Sequence, residues 1–334
     1  MNDNLKRSFY PLETGLVDLP GTGSRALLLN APAGMRLPAG FDAEPALVQD
    51  FRPAFLALRN AGFTTTPEFA GSGYDVAFVF AGRHRRQNEL WIAEALTHTR
   101  AGALVVVSGG KTDGIASLRK RVGALLPLGG SQAKFHGTVF WLERPADIVA
   151  ACDALRPPEG KIAGSFATGP GMFSADHVDA GSKLLADSLP EDLAGSAADF
   201  GAGWGYLTAR LLQHGAIRSI DLYEASHAAL EAAKTNLAGS SVPCRFFWHD
   251  LLSEPVTERY DIVVMNPPFH QARAAEPDIG IAMIRAALGA LKKGGRLFLV
   301  ANRGLPYEAV LRAGASSHGE LIGDARYRVL WAAR

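Results

Sequence analysis

The stretch ADFGAGWGYLTARLL (residues 198–212) combines a short apolar run, a turn with three glycines and the beginning of a helix-like pattern. Gly201, Gly203 and Gly205 follow the apolar run at every second position. Glycine lets the backbone turn tightly and approach a ligand closely at a helix N-terminus. The stretch therefore predicts a strand, a ligand-binding turn and a helix, although a glycine-rich turn without a ligand fits the same pattern.

Runs typical of strands alternate with runs typical of helices on both sides of this turn. Strands are predicted at residues 196–200, 219–223, 245–248, 262–265 and 296–300, and helices at 208–215, 226–239 (with Ser226 as the N-cap) and 279–291. Residues near Leu321 and 329–332 predict a final antiparallel pair. Strict alternation predicts an α/β fold with a doubly wound, mostly parallel sheet, which binds ligands at the carboxyl ends of its strands.

Three acidic residues stand at the ends of predicted strands, where such a sheet binds its ligand. Glu224 follows Asp199 by 25 residues and suits the two hydroxyls of a ribose, as in NAD or S-adenosylmethionine. The G-x-G-x-G spacing departs from the G-x-G-x-x-G pyrophosphate pattern. Asp199 would also repel a pyrophosphate, whereas it could bind the amino group of a methionine moiety. Both features favour S-adenosylmethionine. Asp250, after the third strand, either accepts a hydrogen bond from an adenine amino group or caps a turn.

A second stretch, RYDIVVMNPPFHQ (residues 259–271), places a carboxamide, two prolines and an aromatic ring directly after an apolar strand. Pro267 should end the strand because proline has no N–H for the sheet. The Asn266 side-chain oxygen and the Pro267 carbonyl are predicted to accept hydrogen bonds from a substrate amine, which positions its nitrogen for attack on a methyl group. Pro268 adds rigidity, and Phe269 offers a stacking face for a flipped base. The alternative is a plain strand terminator.

The two halves of the chain contain matching segments in the same order. GYDVAFVFAGR (73–83) resembles RYDIVVMNPPF (259–269), RAGALVVVSGG (100–110) resembles KKGGRLFLVAN (292–302), and FHGTVFWLER (135–144) resembles YRVLWAAR (327–334). The offsets, 186, 193 and 190 residues, favour an internal duplication over chance similarity between two α/β domains. Because the stretch LRPPEGKIAGSFATGPG (155–171) is rich in Pro and Gly, we predict domains over residues 1–158 and 165–334.

The composition is ordinary for a globular protein: 334 residues, 48% hydrophobic, 20% charged, with a formal net charge of +1. The balanced charge gives no support by itself for a nucleic-acid partner. Cys152 and Cys244 form no metal-ligand pattern, so we expect no metal and reduced thiols. No apolar leader and no apolar run of membrane length is visible, so we expect a cytoplasmic protein without a membrane partner.

The glycine turn, Glu224, Asp250 and NPPF (266–269) together resemble the class I S-adenosylmethionine-dependent amino methyltransferases. PGMFSADHVDAGSKLL (170–185) is similar to the P-G-x-F-S…D-x-G-S-x-L-L signature of the RsmC-like bacterial ribosomal RNA guanine-N2 methyltransferases, as is VANRGLPYEAVL (300–311). The resemblance covers nearly the whole C-terminal half. It implies a set of cofactor-binding residues, namely Phe173, Asp199, Gly201, Gly203, Glu224, Asp250 and Asn266.

The resemblance implies methyl transfer from S-adenosylmethionine to the exocyclic N2 amine of a guanine in 16S ribosomal RNA. The implied partner is ribosomal RNA within the small subunit, and a monomer is favoured. Residues 1–158 are implied to be a degenerate copy of the methyltransferase domain that aids folding and RNA binding. GRHRRQNE (82–89) and LRKRV (118–122) are candidate phosphate contacts or solvated helix faces. The chain departs from the family at Ala202, where Cys is usual, and at the bulky Trp204.

Three other functions remain open at this point. A sister family with the same architecture methylates a large-subunit guanine. Enzymes that methylate a release-factor glutamine usually carry Tyr at the position of Phe269 and a small helical N-domain. A non-catalytic RNA-binding assembly factor would differ in class, and the presence of Asn266 and Glu224 argues against it.

Overall fold

A computed structural model describes residues 3–157, 161–162, 166–268 and 276–334. The chain divides into two compact units, unit 1 (Met1–Glu159) and unit 2 (Gly160–Arg334). In the described ranges, no helix is both long and apolar enough to cross a membrane. The same residues contain no group of three or more His, Cys, Asp or Glu side chains arranged to hold a metal ion.

In the described part of unit 1, seven strands form a sheet. The strands are β1 (Arg25–Leu29), β2 (Glu44–Val48), β3 (Thr65–Thr66), β4 (Tyr74–Phe80), β5 (Thr99–Gly110), β6 (Gly130–Lys134) and β7 (Gly137–Glu143). The helices are α1 (Asp3–Glu13), α2 (Arg52–Asn60), α3 (Arg85–His98), α4 (Ile115–Gly123) and α5 (Val149–Leu155). The strand order is β3-β2-β1-β4-β5-β7-β6, and β7 runs antiparallel to both of its neighbours.

Seven strands of the described part of unit 2 form a second sheet. They are β10 (Ala194–Phe200), β11 (Ala216–Glu224), β12 (Cys244–Trp248), β13 (Tyr260–Met265), β14 (Leu291–Asn302), β15 (Ser317–Gly323) and β16 (Tyr327–Ala333), preceded by the short pair β8 (Lys161–Ile162) and β9 (Phe166–Ala167). The helices are α6 (Ala180–Ser188), α7 (Tyr206–Leu211), α8 (His227–Leu237), α9 (Glu276–Ala290) and α10 (Tyr307–Gly314).

The second sheet has the order β12-β11-β10-β13-β14-β16-β15, the same arrangement as the first. The strands from β12 to β14 are parallel, and β16 is antiparallel to both of its neighbours. The predicted α/β architecture in two tandem copies is therefore confirmed, as is the terminal antiparallel pair. The crossover connections of such a sheet place helices on both of its faces, and the strands are buried on both sides as a result.

The repeated Tyr-Asp pair of the two halves has a structural reason. Asp75 accepts a hydrogen bond from the backbone N–H of Arg25 (2.8 Å), and Asp261 accepts one from that of Ser196 (2.8 Å). Each donor lies in the strand beside the aspartate, so the carboxylate joins two neighbouring parallel strands, β1 to β4 in the first sheet and β10 to β13 in the second. Each aspartate also pairs with a cation of the following strand, namely Arg100 (2.7 Å) or Lys292 (2.8 Å).

The strand beside the glycine turn is buried on both faces. Ile262 and Val264 of β13 pack in one apolar cluster with α7 and α8 residues, while Val263 and Met265 pack in another with α9 residues. Residues 262–265 of this strand are therefore apolar and buried, and Asn266 is the first polar side chain after them, at the carboxyl end where a doubly wound sheet places its site.

Most predicted elements of unit 2 lie where the sequence places them, with strands longer by a few residues. The predicted N-cap is confirmed, since the Ser226 hydroxyl oxygen accepts a backbone N–H in the first turn of α8 (3.3 Å). The helix predicted over 208–215 is wrong at its end. It stops at Leu211 because the N–H groups of Gln213 and His214 bond to carbonyls three residues back, which tightens the chain into a turn.

Candidate active site

The glycine turn lies between β10 and α7 and is fixed to the end of β11. The N–H groups of Gly201 and Ala202 both donate to the Tyr223 carbonyl, at 2.8 and 3.1 Å. Gly203 has φ of +54°, and a Cβ added there would meet no protein atom within 4 Å. Its face is therefore open, whereas Gly205 (φ +89°) lies against α8. The turn thus packs on one side and offers backbone to a ligand on the other.

Glu224 ends β11 and is tied to this turn. Its Oε2 accepts the N–H of Gly203 at 2.8 Å, and its Oε1 accepts the N–H of Ser226 at 2.8 Å. Both carboxylate oxygens are held in place by backbone N–H groups. This geometry suits two ribose hydroxyls, so the role predicted for Glu224 fits its position, and the assignment stays a prediction.

Asp199 is completely buried at the end of β10. Its Oδ2 accepts the backbone N–H of Thr208 (3.0 Å) and the Thr208 hydroxyl (2.8 Å), which tethers the first turns of α7. Its Oδ1 is buried and has no hydrogen-bond partner among the described residues. Burial, followed by the negative charge of Glu224, raises the pKa of Asp199 to about 7. The amino-group contact predicted for this carboxylate stays a prediction.

Asp250 caps the turn after β12. Its Oδ1 accepts the N–H of Leu252 (3.0 Å) and its Oδ2 accepts the Ser253 hydroxyl (2.5 Å), while its own N–H donates to Glu254 (2.8 Å). The turn cap that the sequence left as an alternative is therefore present. Because a carboxylate has about four acceptor sites, the cap leaves capacity for an adenine amino group, and that contact stays a prediction.

Asn266 follows β13 at the carboxyl edge of the sheet. Its Nδ2 donates to the Asp179 carboxylate (3.1 Å) and to the Ser182 hydroxyl (2.8 Å). Its Oδ1 is buried without a hydrogen-bond partner within the described ranges. Pro267 is buried and Pro268 is exposed. The structure thus gives an amide whose donor end is fixed and whose buried acceptor end has no hydrogen-bond partner among the described residues; Phe269 lies outside those residues.

Asp179 and Ser182 are site residues that the sequence quoted only as part of a family signature. Asp179 is the N-cap of α6 and accepts the N–H of Ser182 (2.7 Å). The D-x-x-S spacing indicates such a cap, but the contact with Asn266 spans more than 80 residues and has no local signal.

Trp204 belongs to the glycine turn, and its side chain is buried, with 4% exposure. Its indole N–H donates to the Phe173 carbonyl (3.0 Å), and its ring lies 5.1 Å from that of Phe166 and 5.7 Å from that of Tyr206 between centroids. Asn236 donates to the Trp204 carbonyl (2.9 Å). The bulky residue therefore joins the turn to the segment that carries Phe173. The Phe173 ring is 54% exposed, and its cofactor contact stays a prediction.

The same sheet edge in unit 1 is built from amides. Asn30 follows β1 and Gln49 follows β2, the positions of Gly201 and Glu224 in unit 2. Gln49 Nε2 donates to the Ala31 carbonyl (2.9 Å) and to Asn30 Oδ1 (3.3 Å). Neutral groups that bond to one another replace the open glycine turn and the carboxylate, which accords with a degenerate copy.

The two basic clusters of unit 1 differ in exposure. In the first, four consecutive basic or imidazole side chains are exposed, namely Arg83, His84, Arg85 and Arg86. In the second, Arg119 and Lys120 are exposed, while Arg121 donates to the Ala154 carbonyl (2.8 Å). Arg85 already pairs with Glu89 (2.9 Å). The contact of these clusters with phosphates stays a prediction.

The family of methyltransferases described as "Methyltransferase small domain" matches residues 163–331, slightly more than half of the chain. The chain belongs to this family. It is 28% identical over 305 residues to ribosomal RNA small subunit methyltransferase C of Salmonella gallinarum, covering 88% of this chain and 87% of that relative. The protein of the same name from Escherichia coli O7:K1 is 27% identical over 315 residues, with the same coverage.

A solved structure shares the fold over nearly the whole length. It is the 16S rRNA N2 methyltransferase RsmC of T. thermophilus in complex with AdoMet (S-adenosylmethionine) and guanosine. The TM-score is 0.76 and the identity 28%, over 95% of this chain and 90% of that one. The resemblance to RsmC-like methyltransferases is therefore confirmed.

Proposed function

We propose that this chain transfers a methyl group from S-adenosylmethionine to the exocyclic N2 amine of a guanine in 16S ribosomal RNA. The observation that carries the proposal is Asn266, whose amide nitrogen is held by two acceptors while its buried oxygen lacks a partner among the described residues. Leaving a buried acceptor unpaired costs about 1–3 kcal/mol. An N–H donor of the substrate would offset that cost, so the oxygen is suited to bind an amine.

The chemistry follows from the nature of an aromatic amine. Its lone pair is delocalised into the ring, which makes the nitrogen a weak nucleophile. Acceptors aimed at its N–H bonds favour a more tetrahedral nitrogen and hold it in place for attack. The Asn266 oxygen is one acceptor and the Pro267 carbonyl is the second. As the N–C bond forms and the methyl–sulfur bond breaks, positive charge would grow on the nitrogen, where both carbonyl dipoles stabilise it. The methylated nitrogen would then lose one proton to solvent.

The residues at the carboxyl edge fit S-adenosylmethionine. Glu224 has both oxygens anchored by backbone N–H groups, an arrangement that would suit ribose hydroxyls. Asp199 Oδ1 is buried without a described partner, which suits the cofactor's ammonium group. Gly203 leaves the face of the turn open to a ligand. When bound, the cofactor supplies an electrophilic methyl group.

The choice of a guanine in small-subunit RNA is supported by the relatives. They are named ribosomal RNA small subunit methyltransferase C, and the T. thermophilus structure contains guanosine. The net charge of +1 gives the chain no general electrostatic attraction to RNA. Contact with RNA phosphates would therefore depend on local groups such as the exposed arginines of unit 1. The enzyme would act as a monomer on the small subunit, which places it in the cytoplasm.

Methyl-labelled S-adenosylmethionine tests this proposal. The protein is incubated separately with small subunits, large subunits and free ribosomal RNA, all from an unmethylated source, and with release factor. Each product is digested and its modified nucleoside or amino acid is identified by mass spectrometry. We expect N2-methylguanosine from small-subunit RNA. N2-methylguanosine from large subunits alone would overturn the small subunit as the substrate. Methyladenosine would overturn guanine as the target base, and methylglutamine would overturn RNA as the substrate.

A further inference from the structure

We infer that Asp179 and Ser182 are positioning residues for the amide of Asn266, and that turnover depends on the direction in which they hold it. This inference rests on the proposed function, because it concerns the oxygen that binds the substrate amine. It assigns a role in the reaction to the N-terminus of α6.

The first step is the assignment of the two ends of the amide. Asn266 Nδ2 lies 3.1 Å from Asp179 Oδ2 and 2.8 Å from Ser182 Oγ. An ionised carboxylate only accepts hydrogen bonds. An amide turned by 180° would place its oxygen against that carboxylate, with repulsion in place of a hydrogen bond. The charge of Asp179 therefore selects the direction in which Asn266 Oδ1 faces away.

The second step is that both hydrogens of the amide nitrogen are used. One N–H is directed to Asp179 and the other to Ser182. Two partners define the plane of the amide, whereas one partner would leave it free to rotate about a single hydrogen bond. The position of the oxygen, which carries the proposed function, is thus set by groups on its far side.

The third step is that the partners are themselves fixed. Asp179 Oδ2 also accepts the N–H of Ser182 (2.7 Å), so the cap of α6 and the contact with Asn266 share one atom. A Cβ added at Gly181 would lie 3.1 Å from this Oδ2 and 3.1 Å from the Tyr327 ring, so glycine leaves room for the carboxylate. Helix α6 packs against β14 and β16. The amide is therefore oriented by a rigid helix end that rests on the sheet.

The test compares two serines of the same helix. Ser182→Ala removes one acceptor of Asn266 and keeps the backbone cap. The matched control is Ser188→Ala, which removes a hydroxyl that donates to the Leu185 carbonyl at the other end of α6 (3.0 Å). We expect kcat to fall about fivefold for Ser182→Ala, which is about 1 kcal/mol at 1.36 kcal/mol per factor of ten. The Kd of S-adenosylmethionine should stay within twofold, and the control should match the wild type.

Two variants separate the negative charge of Asp179, which faces the Asn266 amide, from its role as the N-cap of α6. Asp179→Asn keeps an oxygen acceptor and caps a helix as well as aspartate does. We expect it to fold but to lose turnover, because its amide can also donate to a turned Asn266 oxygen, whereas Asp179→Ala should lose more because the cap is removed as well. If Asp179→Ala fails to fold, the comparison of Ser182→Ala with Asp179→Asn still decides the inference.

A purely structural role of Ser182 is tested in the Asn266→Ala variant, which lacks the amide that Ser182 would orient. In Asn266→Ala, a further Ser182→Ala change should leave the residual single-turnover rate unchanged, because the hydroxyl then has no amide to orient. Equal kcat for Ser182→Ala and the wild type, or an equal loss in both backgrounds, would overturn the inference. Absence of methylguanosine with the wild type would instead count against the proposed function.

An activity-independent measurement keeps the inference testable in that case. Protein labelled with ¹⁵N at asparagine gives a side-chain NH₂ pair for Asn266, which is assigned by its loss in Asn266→Ala. We expect Ser182→Ala to shift this pair and Ser188→Ala to leave it in place. An unmoved pair in Ser182→Ala would show that the hydroxyl does not hold the amide.

Discussion

Replacement of Asp199 by asparagine tests the cofactor end of the site through its pH dependence. The carboxyl is completely buried, and burial raises its pKa to about 7. An ammonium group of S-adenosylmethionine would bind only the ionised form, through the Oδ1 atom that has no described partner. Asparagine can still accept the two Thr208 hydrogen bonds with its oxygen, so α7 should remain tethered while the charge is lost.

The size of the effect follows from this pKa. Below pH 7 the free protein must lose a proton from Asp199 before the ammonium group binds. With a pKa of about 7 in the free protein and a much lower value in the complex, the Kd of S-adenosylmethionine should be about tenfold higher at pH 6 than at pH 8. Binding at pH 7 should release about half a proton. A charge-assisted hydrogen bond contributes about 1.5–3 kcal/mol, so Asp199→Asn should bind about 10- to 100-fold more weakly at pH 8.

The stability of the free protein should change with pH in the same region. An unfolded aspartate has a pKa of about 3.9, so between that pH and 7 the folded state binds more protons than the unfolded state. The contribution of Asp199 to the free energy of unfolding should therefore fall as pH rises from 4 to 7. Asp199→Asn carries no such proton and should lack this component.

Isothermal titration calorimetry at pH 6, 7 and 8, in buffers of different ionisation enthalpy, measures both the Kd and the protons released. The cofactor's own α-amino group titrates near pH 7.7–8.0, and Asp199→Asn sees the same ligand. The difference between the pH slopes of wild type and variant therefore isolates Asp199. Parallel slopes without proton release would refute the contact between this carboxylate and the ammonium group.

Two further predictions concern the glycine turn. Trp204→Phe removes the indole N–H that holds the Phe173 carbonyl, so the Kd of S-adenosylmethionine should rise about fivefold, with kcat unchanged at saturation. The control is Trp331→Phe, which replaces a tryptophan of β16. Equal Kd values for both variants would refute a cofactor role for Phe173. Gly205→Ala places a side chain at φ +89° and against α8. Backbone strain of about 1–2 kcal/mol and overpacking against α8 should both lower the free energy of unfolding, measured by urea denaturation. Gly215→Ala, where an added Cβ meets nothing within 4 Å, is the control, and an equal effect would contradict this packing.

The sequence predicts the doubly wound, mostly parallel sheet and the edge at which the site lies, because alternating apolar runs allow few other arrangements. It also places Glu224 and Asn266 at that edge, since Glu224 ends one buried strand and Asn266 directly follows another. Local pattern is sufficient for these residues.

The hydrogen-bond partners of these groups are not predicted. Asn266 is bound by residues 84 and 87 positions earlier, and no local spacing marks such a pair. Asp250 uses its carboxylate to cap its own turn, and Asp199 tethers Thr208. The same residue types at the same positions can serve a ligand, a turn or both, and only the three-dimensional arrangement separates these uses.

The amine-positioning role of Asn266 is tested most directly by single-turnover methyl transfer to unmethylated small subunits. Wild type and Asn266→Ala are compared at saturating S-adenosylmethionine, with the cofactor Kd measured for both. Loss of one preorganised electrostatic contact costs about 10²–10³ in rate. We expect a loss of that size in Asn266→Ala with the Kd within twofold of wild type. A rate close to wild type, or a loss of cofactor affinity as large as the loss of rate, would contradict the role of the Asn266 oxygen.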